Sequence, residues 1–302
     1  MSQKPCPFKG SIVALATPFR DGRVDWAALE ALVEAQVAGG QRGLVPCGST
    51  GESATLTHEE HTEVVAFTVK RAAGRVPVIA GTGSNSTAEA IRLTREAERA
   101  GAQGALLISP YYNKPTQAGI VAHYRAVAEA TALPIVVYNI PGRTSSTIEP
   151  DTLARLGEIP NVVGVKDSTG SLDRVMDTIA ACDGSLAVLS GDDSLTLPIV
   201  GLGGVGAISA LANVVPREMA ELTDTALSGR WDEARRMHFR LLPLMRAAFL
   251  ETNPIPVKAA LAMLGRCADE LRLPLLPMTA APRERLRRVL ADLGLPLSPG
   301  AA

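Results

Sequence analysis

The sequence predicts an α/β protein, a (β/α)8 TIM barrel with a C-terminal helical extension. Eight short apolar runs rich in β-branched residues recur between Ser11 and Ser209. They are continuously apolar rather than alternating, as strands covered on both faces are. Segments of helical period separate them, at about 27 residues per strand–helix unit, the spacing of a barrel of ~250 residues. A doubly wound sheet also alternates strand and helix. Eight repeats favour closure, and no G-x-G-x-x-G follows the first run.

The elements follow in order. The first run is Ser11–Ala16, followed by a helix with Trp26, Leu29, Leu32, Val33 and Val37 on one side. Gly43–Cys47 is the second, and Thr57-His58-Glu59-Glu60 opens the next helix as a capping box. Val76–Ala80 is the third, after which Ser86-Thr87-Ala88-Glu89 repeats the box pattern ahead of Ala90, Leu93, Thr94 and Ala97. Gly104–Ser109 and Pro134–Tyr138 come next, and Pro150 opens a helix. Asn161–Lys166, Leu186–Ser190 and Val205–Ser209 complete the set, and Pro216 leads into a helix over Arg217–Leu227. The glycine stretch Gly201–Gly206 precedes a strand rather than opening a helix, so it does not read as a phosphate loop. Past Gly229 only helical stretches remain: Trp231–Phe249, Pro256–Leu264 and Pro282–Leu293. The expected organisation is a barrel over residues 1–229 carrying the active site and a helical region over 230–302, with Pro296–Ala302 frayed.

Composition excludes several classes. The chain has 302 residues, 46% apolar and 20% charged, near the globular average and far from disorder. Lys+Arg of 30 against Asp+Glu of 31 gives a net charge of −1, with no basic footprint for nucleic acid. No run approaches the ~20 apolar residues of a membrane span, and the apolar stretch near the N-terminus is too short for a signal peptide. The expected location is therefore cytoplasmic. Cys6, Cys47, Cys182 and Cys267 form no C-x-x-C pair, so neither a zinc site nor a redox motif is readable.

Chemistry in a barrel stands at the C-terminal ends of strands and in the loops after them. Those positions hold Gly48-Ser49-Thr50-Gly51-Glu52, Tyr111-Tyr112-Asn113, Tyr138 to Arg143, Lys166-Asp167 and Gly191-Asp192-Asp193. Lys166 is the sharpest candidate, one of only six lysines (4, 9, 70, 114, 166 and 258). Strand alternation puts Val162, Gly164 and Lys166 on one face. Burial disfavours a lysine's charged form and makes it a usable nucleophile toward a ketone; a strand-end lysine reaching solvent is the plain alternative. Nearby phenols suit the proton transfers of an iminium mechanism. The Gly48–Gly51 turn suits a small carboxylate, and Arg143 suits a second one, gripped bidentately. His58 and His61, three apart, share a helix face without the H-E-x-x-H metal spacing and read as a packed pair. Asp192-Asp193 reads as a helix N-terminal cap rather than a metal site.

Gly48-Ser49-Thr50-Gly51-Glu52-Ser53, Tyr111-Tyr112-Asn113, Tyr138 to Thr144, Val165-Lys166-Asp167 and Asn253 to Lys258 together resemble the pyruvate-dependent class I aldolase family, which includes the N-acetylneuraminate lyases. The dihydrodipicolinate synthase branch is the nearest likeness, from about Gly10 to Leu293. The resemblance implies that Lys166 forms a Schiff base with pyruvate. It implies a proton relay of Tyr138, Ser49 and Tyr112, with Tyr112 contributed across a tight dimer. Ser49 and Thr50 would hold the pyruvate carboxylate, Arg143 the carboxylate of L-aspartate 4-semialdehyde, and Gly191 and Ile208 would line the site through backbone. It further implies a homotetramer built as a dimer of dimers and no metal or organic cofactor. An allosteric L-lysine pocket is implied at Ser53, Ala54, His58, His61, Gly83, Asn85, Glu89 and Tyr111. Ser49, and Asp167-Ser168 after the lysine, follow the sugar-acid lyases of the family rather than the commonest synthase pattern. The readings are therefore a synthase of lysine biosynthesis, another pyruvate lyase acting on a keto-deoxy sugar acid or N-acetylneuraminate, or a barrel that binds a keto acid without turnover. Arg143 and the Asn253–Lys258 segment favour the synthase.

Overall fold

A computed structural model describes residues 4–298. Eight parallel strands form the barrel: β1 (Gly10–Ala14), β4 (Leu44–Val45), β5 (Ile79–Gly81), β6 (Gly104–Ile108), β7 (Ile135–Asn139), β8 (Val162–Asp167), β9 (Ala187–Ser190) and β10 (Gly206–Ser209). Their order is β4-β1-β10-β9-β8-β7-β6-β5, and the parallel bridge Leu44↔Val78 closes the ring. Each of the eight apolar runs overlaps one of these strands. Two strands, β4 and β5, are markedly shorter than their runs. Pro46 and Pro77 have no N–H for a ladder, and Cys47 turns left-handed at φ 56°.

Eight helices and turns of helix cover the barrel between the strands: α1 (Trp26–Ala38), α2 (His58–Ala72), α3 (Thr87–Arg99), α4 (Gln117–Glu129), the short α5 (Pro141–Thr144), α6 (Pro150–Gly157), α7 (Leu172–Cys182) and α8 (Thr196–Gly201). After the last strand come α9 (Pro216–Leu227), α10 (Trp231–Ala247), α11 (Ile255–Met263) and α12 (Ala280–Asp292). The α10–α12 helices share one apolar cluster with α1, α2 and α9. Helix α3 buries Ala90, Leu93, Thr94 and Ala97, the expected stripe.

The structure corrects several expectations. An antiparallel hairpin, β2 (Phe19–Arg20) with β3 (Arg23–Val24), follows the first strand. Its Asp21-Gly22 corner has positive φ at both residues, the signature of a tight primed turn that the sequence displays. Pro296–Ser298 are not frayed: Leu297 packs on the core and the Ser298 N–H donates to Met263 O at 2.8 Å; residues 299–302 lie outside the described residues. Thr57 and Glu60 form a complete capping box. At Ser86 only half of one exists, because the Glu89 carboxylate is engaged by His58 and Ser84 instead. Asp193 caps no helix of its own. Its Oδ2 accepts from Leu211 N at 2.9 Å and so caps the turn after β10.

Val162 does not share the Lys166 face. The β7–β8 register jumps from Ile135↔Val162 to Val136↔Gly164, so Val163 is the extra residue of a bulge. Val163 joins the barrel interior while Val162 packs outward. Beyond the bulge Gly164 and Lys166 point inward, and Lys166 is registered beside Tyr138.

The end of the barrel opposite the strand C-termini is filled. Phe8 and Cys6 enter the interior cluster. Phe8 occupies the space where a Cβ on Gly104 would stand, 2.4 Å from its ring; burying such a ring contributes roughly 1.5–3 kcal/mol. Below it the Lys4 ammonium donates to the carbonyls of Gly157, Ile159 and Val162 at 3.0, 2.6 and 2.7 Å.

Candidate active site

Lys166 stands one residue before the end of β8, almost completely buried at 5% exposure. Its ammonium nitrogen stands 4.2 Å from the centre of the Tyr138 ring, and it has no hydrogen-bond or ion-pair partner among the described residues. Lys258 is equally buried, but its nitrogen is committed to Glu52 Oε1 at 2.6 Å and to Thr17 O at 3.0 Å. The two inward lysines are thus distinguished by geometry: one amine is free to react and the other is engaged. Breaking a pair like Lys258–Glu52 by removing one partner strands a buried charge, at a cost of about 3–5 kcal/mol.

Gly191 makes the space for Lys166. A Cβ there would lie 1.9 Å from Ser168 Oγ, 2.9 Å from Asp167 O and 3.0 Å from Lys166 Cε. Carboxylates surround this end of β8. Burial, and then the neighbouring Asp193, push Asp192 up to about 6, against the opposing pull of Lys166. Burial also raises Asp167 and Asp193. Asp167 is held in a turn by the Thr169 N–H and hydroxyl at 3.0 and 2.7 Å.

Above Tyr138 opens a cavity of about 430 Å³. Ser49, Tyr138, Arg143 and Asn253 line one side, and Ser53, Ala54, His58, His61, Gly83, Glu89 and Tyr111 line the other. The half-buried Ser49 projects from the turn after β4. Thr50 is not on the cavity wall; its hydroxyl accepts from Asn253 Nδ2 at 2.9 Å. Asn253 carries a second duty, since its carbonyl accepts from Arg143 Nη2 at 2.7 Å. That bond holds one edge of the guanidinium and leaves the rest of the fork for an incoming carboxylate. Ile208 is fully buried in the interior cluster beneath the site.

The second wall has its own network. Glu89 accepts from His58 Nε2 at 2.7 Å and from Ser84 Oγ, which together hold its carboxyl below the usual carboxylate range. His61 bonds Gly81 O at 2.8 Å, and burial lowers its pKa. Both histidines are satisfied by these partners, and among the described residues no group of three or more His, Cys, Asp or Glu is placed to hold a metal. Asn85 lies off the wall and clamps two loops: its Nδ2 donates to Tyr111 O at 3.1 Å while Asn113 Nδ2 donates back to Asn85 O at 2.9 Å. The clamp presents Tyr112 in a left-handed conformation, φ 71°, with 89% of its surface exposed. Tyr112 does not join the Lys166 site of its own chain.

The partners of Glu52, Thr17 and Asn253 lie far away along the chain, so local pattern does not reveal what these residues do. Glu52 carried one local signal, its place at the end of a Gly-Ser-Thr-Gly turn.

Comparison with known proteins gives a consistent result. Residues 7–293 match the profile of the Dihydrodipicolinate synthetase family. The chain is 54% identical, over 95% of its own length and 99% of the relative's, to a protein of Syntrophus aciditrophicus (strain SB) named 4-hydroxy-tetrahydrodipicolinate synthase. Among solved structures it resembles dihydrodipicolinate synthase from Aquifex aeolicus with a TM-score of 0.95, 51% identity and coverage of 96% and 100% of the two chains. It also resembles the Cyanidioschyzon merolae enzyme with lysine bound, with a TM-score of 0.92, 40% identity and coverage of 96% and 99%. No helix among the described residues is long and apolar enough to cross a membrane.

Proposed function

The chain belongs to the dihydrodipicolinate synthetase family, and from that premise we infer that it condenses pyruvate with L-aspartate 4-semialdehyde to 4-hydroxy-tetrahydrodipicolinate. It is a lyase working by Schiff-base chemistry in lysine and diaminopimelate biosynthesis. The observation that carries the mechanism is the unpartnered amine of Lys166, buried against Tyr138. The amine attacks the pyruvate ketone and water leaves. The resulting imine loses a methyl proton to give an enamine, whose carbon attacks the aldehyde; the semialdehyde's own amino group then adds to the iminium carbon, closing the ring and expelling the Lys166 amine. Tyr138 is the near phenol for these proton transfers, with Ser49 on the same cavity wall. Gly191 lies against the Lys166 side chain and Ile208 in the interior cluster beneath it, and the Ser49–Thr50 turn would receive the pyruvate carboxylate. The relatives above carry the synthase name, which favours this acceptor over a sugar acid. The test is borohydride trapping with pyruvate followed by a competition of acceptor aldehydes. Preferred turnover of a keto-deoxy sugar acid or N-acetylneuraminate would overturn the assignment.

Arg143 selects the acceptor. Losing one charge-assisted contact of ~1.5–3 kcal/mol weakens use of the semialdehyde by roughly 10- to 100-fold. Arg143→Ala is expected to show that loss in kcat/KM for the semialdehyde while still forming the pyruvate adduct. Parent-like use of the semialdehyde would make Arg143 an ordinary surface residue.

L-Lysine is proposed as an effector at the second wall of the same cavity. Glu89 would pair its amino group and the His58–His61 face would accept hydrogen bonds from its side-chain ammonium, with Ser53, Ala54, Gly83 and Tyr111 around it and Asn85 holding the loop. The lysine-bound Cyanidioschyzon merolae structure supports this. Titrating L-lysine at fixed substrates is expected to lower the rate, and Glu89→Ala to relieve that inhibition. An undiminished rate at saturating lysine refutes the effector, and equal inhibition of Glu89→Ala moves its site. The same reading includes a homotetramer in which Tyr112 completes the relay of a neighbouring subunit. The exposed Tyr112, Leu273 and Leu276 support it, and sedimentation velocity tests it. A cytoplasmic location fits four unpaired cysteines.

A further inference from the structure

The Gly48–Gly51 turn is held from two sides. On one side the Thr17 hydroxyl donates to Gly51 O at 2.7 Å. On the other stands Glu52, the residue that leaves the turn, in the left-handed conformation at φ 52°. Both sides converge on one ammonium. Lys258 of α11 is fully buried and donates to Thr17 O and to Glu52 Oε1. The second oxygen of Glu52 accepts from Arg272 N at 3.1 Å. Lys258 also stands 4.2 Å over the Phe19 ring, where water has no access. The turn has little slack of its own: a Cβ on Gly51 would already lie 3.0 Å from Leu15 O and 3.1 Å from Cys47 N.

A buried ion pair is an uneconomical way to stabilise a fold. Desolvation offsets most of the attraction, and apolar residues of similar volume are often as stable or more so. What the pair supplies here is direction. Its bonds run to the carbonyl of Thr17, whose hydroxyl holds Gly51 O, and to the side chain of Glu52 just after the turn, so they tie the Ser49–Thr50 turn to the loop after β1. We propose that Lys258 and Glu52 are positioning residues, which hold the Ser49–Thr50 turn in the shape that receives the carboxylate of pyruvate. The inference rests on the function proposed above and adds to it a role for a residue more than 200 positions away from the turn.

The experiment uses Glu52→Gln, which keeps the shape and removes the charge, beside Lys258→Met and Lys258→Arg in the full chain. The fraction of Lys166 trapped by borohydride is measured against pyruvate concentration, and steady-state constants are measured for both substrates. In Glu52→Gln and Lys258→Met the pyruvate concentration for half-trapping is expected to rise by about tenfold or more. Trapping still completes at saturating pyruvate, and the KM for the semialdehyde stays within about twofold. Lys258→Arg retains the charge and recovers part of the loss. A folded Glu52→Gln with the parent's pyruvate dependence overturns the proposal, as does an equal loss for both substrates. If neither Glu52→Gln nor Lys258→Met folds, the pair serves stability rather than geometry and the proposal is likewise overturned. Failure of the parent itself to trap pyruvate would instead refute the function proposed above.

Discussion

Lys166→Ala is expected to form no borohydride-trappable pyruvate adduct and to lose on the order of 10⁴- to 10⁶-fold in kcat, the scale seen when a covalent nucleophile is removed. The amine has no substitute nearby. Lys258 is the other lysine buried close to the cavity, and its nitrogen is held by Glu52 and Thr17. Lys114 lies exposed in the loop after β6. Lys166→Arg fails equally, since a guanidinium stays protonated and cannot attack a ketone. Peptide mapping of the trapped parent enzyme decides the matter: label on Lys258 or Lys114 would transfer the nucleophile there.

Gly191→Ala is expected to damage the site at the lysine itself. Two of its contacts are soft, Ser168 Oγ and Lys166 Cε, but Asp167 O at 2.9 Å is backbone. That carbonyl also accepts from Gly191 N at 2.7 Å, so relieving the clash means parting β8 from β9 at the lysine itself. A displacement of about 1 Å in a reacting group costs on the order of 10²-fold. The expected result is a fall of that size in kcat/KM for pyruvate, with the protein still folded by circular dichroism. Adding Ser168→Gly removes the 1.9 Å contact but not the backbone one, so recovery is partial. Parent-like kinetics in Gly191→Ala would show that the strand ends yield freely and that Gly191 plays no part.

The barrel was legible because its signal is periodic. Runs such as Leu186–Ser190 and stripes such as Ala90, Leu93, Thr94 and Ala97 repeat a local rule, and local rules survive without coordinates. Lys166 and Tyr138 were legible for a related reason, since both end such runs. The β8 bulge was not, because one inserted residue leaves the run of valines unbroken and still reverses which of Val162 and Val163 faces inward. The Asp21-Gly22 corner is a plain turn signal, but strands of two residues each carry no period of their own. Pairings such as Glu52 with Lys258, Thr50 with Asn253 and Asp193 with Leu211 N obey no period. They depend on which loops the closed barrel brings together. The departure of Ser86–Glu89 from a full capping box has the same origin, since His58 from another helix competes for the carboxylate.

The Lys4 clamp and the Phe8 ring at the foot of the barrel have a consequence for traffic. Among the described residues they fill the foot of the interior. In the proposed reaction pyruvate, the water released on imine formation, the aldehyde and the finished product would all pass the cavity lined by Arg143 and Tyr111. Whatever occupies the far wall of that cavity therefore stands in the path of arrival and of departure alike, and a small ligand there can slow the whole cycle without touching the amine.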